Sequence, residues 1–338
     1  MADMKAWQLA HPGEVQTTLK LNTVPRPSAQ SLKAQDILIR VISTAINPAD
    51  YKVPAMGFAA RAIIAFPKTP AMDLSGEVVA VGAGVTDILV GDHVMARVSP
   101  LKRPGALSEY LIAHRDGYAK LSRDVDLDVA AAVGTAGLTA YQTIKPYVKP
   151  GDKIFINGGS GGVGTFGIQI AKLLGCHVTV SCSTGKAELC RSLGADEIID
   201  YKKTDVVDEL TKLGRVFSLI VDNVGYDPPN LYPKTGHVLL PEGVFVVVAA
   251  GKHAGHAATA VGNLIRPSFL GGGKNKMVMY LTANNHDDWN ALAGWLNEGK
   301  VTAVIEKTFE FGDALKAFEH LQGGSTGGKV VIHVSKKE

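Results

Sequence analysis

A glycine-rich loop between a predicted strand and a predicted helix constrains the fold of this chain more than any other feature. The loop, Asn157-Gly-Gly-Ser-Gly-Gly-Val-Gly164, follows the strand-like segment Lys153–Asn157 and precedes the apolar, helix-like segment Val163–Leu174. Three of its glycines have the G-x-G-x-x-G spacing that permits a tight turn, close approach to a pyrophosphate and close packing of helix on strand. The free N–H groups at a helix N-terminus add positive potential. The loop therefore predicts a dinucleotide-binding domain.

Segments typical of strands alternate with segments typical of helices after this loop. Strands are predicted at His177–Ser181, Glu197–Asp200, Phe217–Asp222 and Val244–Ala249, and a helix is predicted at Lys186–Leu193. This alternation indicates βαβ units and a parallel, doubly wound sheet. The first third of the chain instead contains short β-segments separated by prolines, which indicates a second, β-rich domain.

Charge and cysteine content exclude several classes of protein. The 35 basic and 32 acidic residues give a formal net charge of +3, which is too small to suggest a nucleic-acid-binding surface. Three cysteines, Cys176, Cys182 and Cys190, make a disulfide framework improbable and favour a reducing compartment. The N-terminal segment has no targeting pattern, and no apolar stretch approaches the ~20 residues of a membrane span. We expect a soluble, cytoplasmic protein with no nucleic-acid partner and no membrane span.

The glycine loop also fits a different motif. Gly158-x-Ser160-x-Gly162 has the spacing of the nucleophile elbow of α/β-hydrolases, which also lies between a strand and a helix. An elbow needs an acid and then a histidine downstream, and Asp222 with His237, His320 or His333 has that order. The fourth glycine of the loop and the turn after the second strand favour a dinucleotide over a hydrolase.

The turn after the second predicted strand indicates which dinucleotide is bound. NAD-selective domains place an acidic residue about 20 residues after the glycines, where it accepts a hydrogen bond from the ribose 2′-hydroxyl. Here that position is Ser183, within Ser181-Cys-Ser-Thr-Gly-Lys186, and no Asp or Glu lies between the glycine loop and Glu188. Hydroxyls and a cation suit a 2′-phosphate, so the sequence predicts NADPH. A solvated turn at a helix N-cap is the alternative.

Motifs along the whole chain resemble the medium-chain dehydrogenase/reductase superfamily. They are Asn47-Pro-Ala-Asp50, Asp73-Leu-Ser-Gly-Glu-Val-Val-Ala-Val-Gly82, Gly105-Ala-Leu-Ser-Glu-Tyr110, Leu193-Gly-Ala-Asp196 and Gly328-Lys-Val-Val-Ile332. The chain looks most similar to the zinc-independent quinone oxidoreductases and enoyl (alkenal) reductases. This resemblance implies an α/β protein with a GroES-like, partly open β-barrel catalytic domain, residues 1–124 and 274–338, and a doubly wound Rossmann domain, residues 125–273. It is also compatible with a homodimer.

The zinc branch of this superfamily holds its catalytic metal with Cys, His and Cys at three separated motifs. The resemblance maps these positions onto Asn47, Met72 and Thr135, none of which is an ordinary zinc ligand. The four cysteines of the structural zinc lobe are also missing, because no cysteine precedes Cys176. We therefore expect no metal.

The residues at these three positions bear on the expected reaction. Hydride transfer to a carbonyl carbon develops charge on one oxygen, which zinc would stabilise as a Lewis acid. Hydride transfer to the β-carbon of an α,β-unsaturated carbonyl gives a delocalised enolate, which positioned donors can stabilise. The resemblance implies this second reaction, the NADPH-dependent reduction of enals, enones or quinones. It places Asn47 and Thr135 at the nicotinamide and offers Lys52 and Tyr51 as proton donors, with ordinary surface residues as the alternative for the last two.

The resemblance further implies a cofactor site built from the glycine loop and the ends of neighbouring strands. Ser183, Lys186 and Tyr201 match positions that hold the 2′-phosphate and the adenosine ribose, and Thr139 matches one that bonds the nicotinamide amide or ribose. The full set is Thr139, Gly159, Ser160, Gly161, Gly162, Val163, Gly164, Ser183, Lys186, Tyr201, Asn223, Ala250, Gly251, Leu270, Gly271 and Gly272.

Two other functions stay open from the sequence. One is an enoyl reductase that acts in trans on a chain carried by a polyketide or fatty-acid synthase. The other is an NADPH-binding protein with a regulatory or structural role and low turnover.

Overall fold

The computed structural model describes residues 2–101, 104–225, 227–229, 231–248, 274–324 and 326–336. The chain divides into two compact units, the first comprising Met1–Leu138 with Ala283–Glu338 and the second Thr139–Thr282. The strands are β1 (Asp3–Leu9), β2 (Leu19–Pro25), β3 (Asp36–Ile46), β4 (Asp73–Val81), β5 (His93–Arg97), β6 (Tyr110–His114), β7 (Tyr118–Lys120), β8 (Lys153–Asn157), β9 (His177–Cys182), β10 (Glu197–Asp200), β11 (Phe217–Asp222), β12 (Leu239–Val247), β13 (Lys276–Met279), β14 (Ile305–Glu310) and β15 (Lys329–His333).

The helices are short and mostly lie between strands. They are α1 (Val15–Thr18), α2 (Pro48–Lys52), α3 (Leu127–Ile144), α4 (Gly162–Leu173), α5 (Ala187–Ser192), α6 (Val206–Leu213), α7 (His286–Asn297) and α8 (Ala314–Gln322). A 3₁₀ segment at Pro54–Ala62 follows α2, and another at Thr184–Lys186 precedes α5. No helix in the described part of the chain is long and apolar enough to cross a membrane.

The first unit is built on a seven-stranded sheet. Its order is β14-β15-β3-β4-β5-β7, with β6 also paired to β3, and all pairs except β14 with β15 are antiparallel. The central strand β3 is buried at ten of its eleven positions, and the buried positions include the polar residues Asp36, Ser43 and Thr44. Strands β1 and β2 form a separate antiparallel pair in this unit.

The second unit contains a six-stranded sheet of order β10-β9-β8-β11-β12-β13, in which every pair is parallel. Alternate residues of β8 enter two apolar clusters, Ile154 and Ile156 in one and Phe155 in the other. Successive side chains of a strand point to opposite faces, so both faces of the sheet are covered. The predicted doubly wound α/β sheet is confirmed.

Strand β13 lies in a different unit from the one that the sequence indicated. The resemblance implies a first domain that includes residues 274–338, whereas β13 pairs in parallel with β12, Val244 opposite Lys276 and Val247 opposite Met279. Its apolar residues pack on the clusters of the second unit, which extends that sheet by one strand. The compact units divide after Leu138, within α3, and after Thr282. The predicted boundaries at residues 124/125 and 273/274 stay a prediction.

Candidate functional site

Four strands of the first unit end at the same edge of its sheet. Antiparallel pairing places Ile46, the last residue of β3, opposite Val330 in β15. It also places Asp73, the first residue of β4, opposite Arg97, the last residue of β5. Lys329 begins β15. The register therefore brings Asn47, which follows β3, together with Asp73, Arg97 and Lys329.

Asp73 is the centre of this buried cluster. Its Oδ2 accepts a hydrogen bond from Asn47 Nδ2 at 2.8 Å. Its Oδ1 accepts from the backbone N–H of Thr135 at 2.8 Å and from the Thr135 hydroxyl at 2.7 Å. Gly134 lets α3 approach this closely, because a Cβ on that residue would lie 2.3 Å from Asp73 Oδ1. Asn47 and Thr135, two of the predicted catalytic residues, are thus joined through one carboxylate.

Two basic residues contact the cluster. Lys329 Nζ donates to Asn47 Oδ1 at 2.5 Å and lies 3.6 Å from Asp73 Oδ2. Arg97 Nε donates to Thr135 Oγ1 at 2.9 Å, and its Nη1 donates to Asn284 Oδ1 at 2.9 Å. Lys329, Arg97 and Asp73 are each at most 5% exposed. Buried charges of this kind persist only when they are paired and hydrogen-bonded.

These contacts do not fit a zinc ion. The Asn47 side chain is hydrogen-bonded to Asp73 and Lys329. The Thr135 hydroxyl is hydrogen-bonded to Asp73 and Arg97. Arg97 Nη2 also lies 3.9 Å from the sulfur of Met72. A lysine ammonium bonded to Asn47 Oδ1 would oppose a second cation at the same oxygen. Within the described ranges, no group of three or more His, Cys, Asp and Glu residues could hold a metal ion.

Helix α2 carries the two predicted proton donors. Asn47 is its N-cap, and the backbone N–H of Asn47 donates to Asp50 Oδ2 at 2.8 Å, which fixes the start of the helix. Burial raises the pKa of Asp50 to about 7. Tyr51 is half-buried against the core and Lys52 is exposed. Partial burial raises the pKa of the Tyr51 phenol, so this side chain is protonated at neutral pH.

The predicted glycine loop lies in the second unit between β8 and α4. A Cβ on Gly159 would lie 2.7 Å from Val180 Cβ, and a Cβ on Gly164 would lie 2.2 Å from the Gly158 carbonyl oxygen. Packing within the protein therefore explains these two glycines. A Cβ on Gly161 would meet only the Gly158 oxygen, at 3.6 Å, among the described atoms. No described atom of the protein would clash with a side chain at residue 161. A ligand that approaches the loop closely would explain why this residue is glycine.

Two further features of the second unit fit a dinucleotide. Gly161 is the N-cap of α4 and supplies no side-chain cap, so the first N–H groups of this twelve-residue helix remain for an anion. Asn223 follows β11, and both polar atoms of its side chain are buried without a hydrogen-bond partner among the described residues. A buried amide without partners is costly unless a ligand satisfies it. The residues present therefore fit the predicted cofactor.

The predicted 2′-phosphate residues lie at the ends of β9 and β10. Ser183 begins the 3₁₀ turn, and the backbone N–H of Lys186 donates to the Ser183 carbonyl at 2.9 Å. Tyr201 follows β10 and is half-exposed. The carboxylate that sequence reasoning missed is Asp200, whose Oδ2 accepts from the Thr184 hydroxyl at 2.6 Å. Only the pairing of β10 with β9 brings it to this turn, because it lies sixteen residues further along the chain.

The other predicted cofactor residues have different surroundings. The hydroxyl of Thr139 is hydrogen-bonded to the hydroxyl of Thr282, and both belong to the second unit. Ser160, Gly162 and Val163 are partly exposed in the loop and the first turn of α4. Five predicted residues lie outside the described residues: Ala250, Gly251, Leu270, Gly271 and Gly272.

Sequence reasoning also missed the charges that surround Asn47. Asp73, Arg97 and Lys329 lie in three separate strands, and no local motif links them. The signal that could have found two of them is a basic residue at the end of a mostly apolar strand, Arg97 in β5 and Lys329 in β15. The three cysteines are free and buried.

Models of two known protein families match parts of this chain. Residues 33–123 match the model of the alcohol dehydrogenase GroES-like domain, and residues 193–332 match the model described as zinc-binding dehydrogenase. The first match confirms the expected GroES-like catalytic domain. Asn47, Met72 and Thr135, onto which the resemblance maps the zinc ligands, lie outside the residues that the second model matches.

Individual relatives cover nearly the whole chain. The trans-enoyl reductase pgmF of Aspergillus terreus is 41% identical over 98% of this chain and 97% of its own length. The 2-methylene-furan-3-one reductase of Solanum lycopersicum is 31% identical over 98% of this chain and 79% of its own length. The structure of the quinone oxidoreductase from Coxiella burnetii superimposes with a TM-score of 0.83 at 28% identity, covering 99% of this chain and all of the other.

Proposed function

This chain belongs to the medium-chain dehydrogenase/reductase superfamily of NAD(P)-using oxidoreductases that act on small molecules, and from that premise we propose an NADPH-dependent, zinc-independent reductase of activated double bonds. The reaction delivers a hydride to the β-carbon of an enal or enone, and a proton to its α-carbon, or reduces a quinone. The relatives named as enoyl, furanone and quinone reductases support this substrate class.

The observation that carries the proposal is the cluster around Asp73. Asn47, Met72 and Thr135, at the positions that resemble the zinc ligands, contact a lysine, an arginine and a carboxylate of the chain itself. Lys329 donates to the Asn47 oxygen, which polarises the amide. One N–H of Asn47 Nδ2 donates to Asp73, and the other is the proposed donor to the substrate oxygen. An amide donor stabilises a delocalised enolate, as a metal would stabilise a localised alkoxide.

Residues of both units have proposed roles in binding and proton transfer. NADPH, when bound, supplies the hydride. The glycine loop and the N-terminus of α4 bind the pyrophosphate, and Ser183 and Lys186 bind the 2′-phosphate. Lys202 and Lys203, which follow Tyr201, add positive charge beside Asp200 and favour a phosphate there. The Tyr51 hydroxyl or the Lys52 ammonium gives a proton to the α-carbon.

The identity of the product tests the proposal. The purified protein is incubated with NADPH and acrolein, 2-hexenal, a cyclic enone or a naphthoquinone, and the products are identified by mass spectrometry. We expect saturated carbonyls and hydroquinone, no allylic alcohol, and unchanged turnover after dialysis against a chelator. Allylic alcohol, or activity that requires added zinc, refutes the proposal. Low turnover on every substrate with intact NADPH affinity favours a regulatory protein.

The same assay assigns the proton donor. We expect Lys52→Ala to lower turnover on 2-hexenal by at least about tenfold, since general acid catalysis contributes roughly 10²-fold or more. Tyr51→Phe removes only the hydroxyl and serves as the matched variant. If both variants keep the wild-type kcat, solvent protonates the enolate.

A second candidate is an enoyl reductase that acts in trans on a synthase-bound chain. The name of the 41% identical relative favours it, as does an exposed apolar segment directly after α2. Phe58 and Met56 in that segment are 87% and 52% exposed, and exposed apolar groups suit a long acyl chain. An enoyl thioester of pantetheine compared with the free enal of the same length distinguishes the two. Turnover of the thioester alone favours the trans-acting enzyme.

A further inference from the structure

We propose that Ser181, Asn157 and Asp222 form a buried relay that positions the glycine loop for the dinucleotide. We call these three residues the strand-end relay. None of them belongs to the G-x-G-x-x-G pattern or to the predicted contacts with the cofactor. The proposal concerns how the chain holds the pyrophosphate, and it does not depend on which substrate is reduced.

Parallel pairing brings the three residues together. Asp222, the last residue of β11, lies opposite Asn157, the last residue of β8. Ile156 in β8 lies opposite Val180 in β9, so Ser181 comes next to Asn157 on the other side. All three side chains are at most 2% exposed. The relay thus crosses the carboxyl ends of three adjacent strands, the edge at which parallel sheets bind ligands.

Hydrogen bonds connect the relay to the loop. Ser181 Oγ accepts from the backbone N–H of Gly158 at 2.9 Å and donates to Asn157 Oδ1 at 2.6 Å. Asn157 Nδ2 donates to Asp222 Oδ1 at 2.8 Å and to the Asp227 carbonyl at 2.9 Å. The Ser181 carbonyl accepts from the N–H of Gly159 at 2.8 Å. The first two glycines of the loop, Gly158 and Gly159, therefore both donate a backbone hydrogen bond to Ser181.

Only one assignment of donors and acceptors is consistent with all the hydrogen bonds of the relay. Asp222 Oδ1 also accepts from the backbone N–H groups of Val224 and Gly225, at 3.1 and 3.0 Å, so it acts as an acceptor throughout. The NH₂ group of Asn157 must then face Asp222, and its oxygen must face Ser181. The Ser181 hydroxyl must donate to that oxygen, which leaves its lone pairs for the N–H of Gly158. A charge at the end of β11 thereby fixes an acceptor for the loop after β8.

Gly158 is the residue at which this support matters. Its φ of +81° lies in the left-handed region, and its carbonyl accepts from the N–H of Gly161 at 3.3 Å while packing against Gly164. A rotation of this residue would move the loop N–H groups that face the pyrophosphate. The same relay orders the turn from Asp222 to Gly225, which contains the Asn223 amide that has no hydrogen-bond partner among the described residues. Without Ser181 Oγ, the buried backbone N–H of Gly158 would lose its acceptor and the buried Asn157 Oδ1 would lose its donor.

The test measures cofactor binding without any substrate. Dissociation constants for NADPH and for NADH are obtained by fluorescence titration of wild type and Ser181→Ala, below the melting transition of each. We expect both constants to rise by about 10- to 30-fold and by the same factor, because the pyrophosphate is common to both cofactors. The matched control is Thr235→Val, which deletes another buried hydroxyl of the second unit, bonded to the Tyr232 carbonyl at 2.8 Å. It should lower the melting temperature and leave both constants within twofold.

A double-variant cycle separates a relay from independent effects. Ser181→Ala combined with Asn157→Ala should weaken binding by no more than about threefold beyond the weaker-binding single variant, since the two residues act in series. If Ser181→Ala does not fold, Asp222→Asn decides, with an expected 3- to 10-fold loss. The proposal is overturned if the two single-variant losses of affinity multiply in the double variant. It is also overturned if a folded relay variant binds the cofactors as wild type does, or if Thr235→Val loses as much affinity as the relay variants. Failure to reduce enones while these constants behave as expected counts against the proposed function only.

Discussion

Substitution of Gly161 by alanine should separate cofactor binding from folding. A Cβ there meets only one described atom within 4 Å, the Gly158 oxygen at 3.6 Å, which is ordinary van der Waals contact. The backbone is in the extended region, with φ of −78° and ψ of 173°, so alanine adopts it without strain. Alanine gains about 0.4–1 kcal/mol from the unfolded state and loses roughly 0.5–1 kcal/mol because it is a poorer N-cap than glycine. We expect the stability of Gly161→Ala to lie within about 1 kcal/mol of wild type.

The same methyl group should strongly affect cofactor affinity. It occupies the face of the loop that the protein itself leaves open, so a pyrophosphate that uses this face must move away. Losing one charge-assisted hydrogen bond costs about 1.5–3 kcal/mol, and each 1.4 kcal/mol is about tenfold in the dissociation constant. We therefore expect NADPH to bind roughly 10- to 150-fold more weakly, measured by fluorescence titration beside a thermal melt.

Two glycines provide the controls. A Cβ added to Gly294 in α7 would meet no described atom within 4 Å, and alanine in a helix interior stabilises by about 1 kcal/mol; Gly294→Ala should raise the melting temperature and leave NADPH affinity unchanged. Gly164→Ala should lower the melting temperature by several degrees, since its methyl would lie 2.2 Å from a carbonyl oxygen. NADPH affinity within twofold of wild type in a folded Gly161→Ala variant refutes the placement of the pyrophosphate.

Two further predictions concern charge. Lys186→Ala should weaken NADPH binding by about tenfold or more and leave NADH binding unchanged, because we propose that the ammonium pairs with the 2′-phosphate, which NADH lacks; equal losses for both cofactors contradict this role. His333 is the second case: partial burial lowers the pKa of its imidazole, but hydrogen bonds to Asp128 (2.8 Å) and Glu310 (3.2 Å) outweigh burial and raise the pKa above its ordinary value. The stabilisation from protonated His333 is fully present below pH ~6.5 and is lost as pH rises through the folded pKa. His333→Gln should therefore reduce the pH dependence of the free energy of unfolding, measured by denaturant titration between pH 6 and 9. A pH dependence equal to that of wild type contradicts the raised pKa.

The glycine loop could be predicted because its information is local. A strand, a turn that needs glycine and a helix follow one another within about 20 residues of the sequence, and each has a signal of its own. The parallel sheet followed from the same alternation. The position of β13 did not follow, because a four-residue strand after a long connection carries no local sign of the strand with which it pairs.

The cluster around Asp73 could not be predicted for the same reason. Lys329 and Asn47, 282 residues apart, meet only because the register of β15, β3 and β4 places their ends at one edge of the sheet. Register is set by long-range pairing and by which face each residue buries. Ser181 is a similar case at shorter range, since a serine at the end of a strand looks like any other until the neighbouring strand is placed beside it.

Both units use the same physical device at their strand ends. A buried carboxylate, Asp73 in the first unit and Asp222 in the second, accepts from an asparagine that follows or ends a neighbouring strand, Asn47 or Asn157. Because a carboxylate can only accept, the NH₂ group of the amide must face it, and the amide oxygen faces the other way. The amide then has a defined polarity towards Lys329 in one unit and towards Ser181 in the other. Replacing either aspartate by alanine would remove an acceptor and also the orientation of the amide, so the loss should exceed that of a single hydrogen bond.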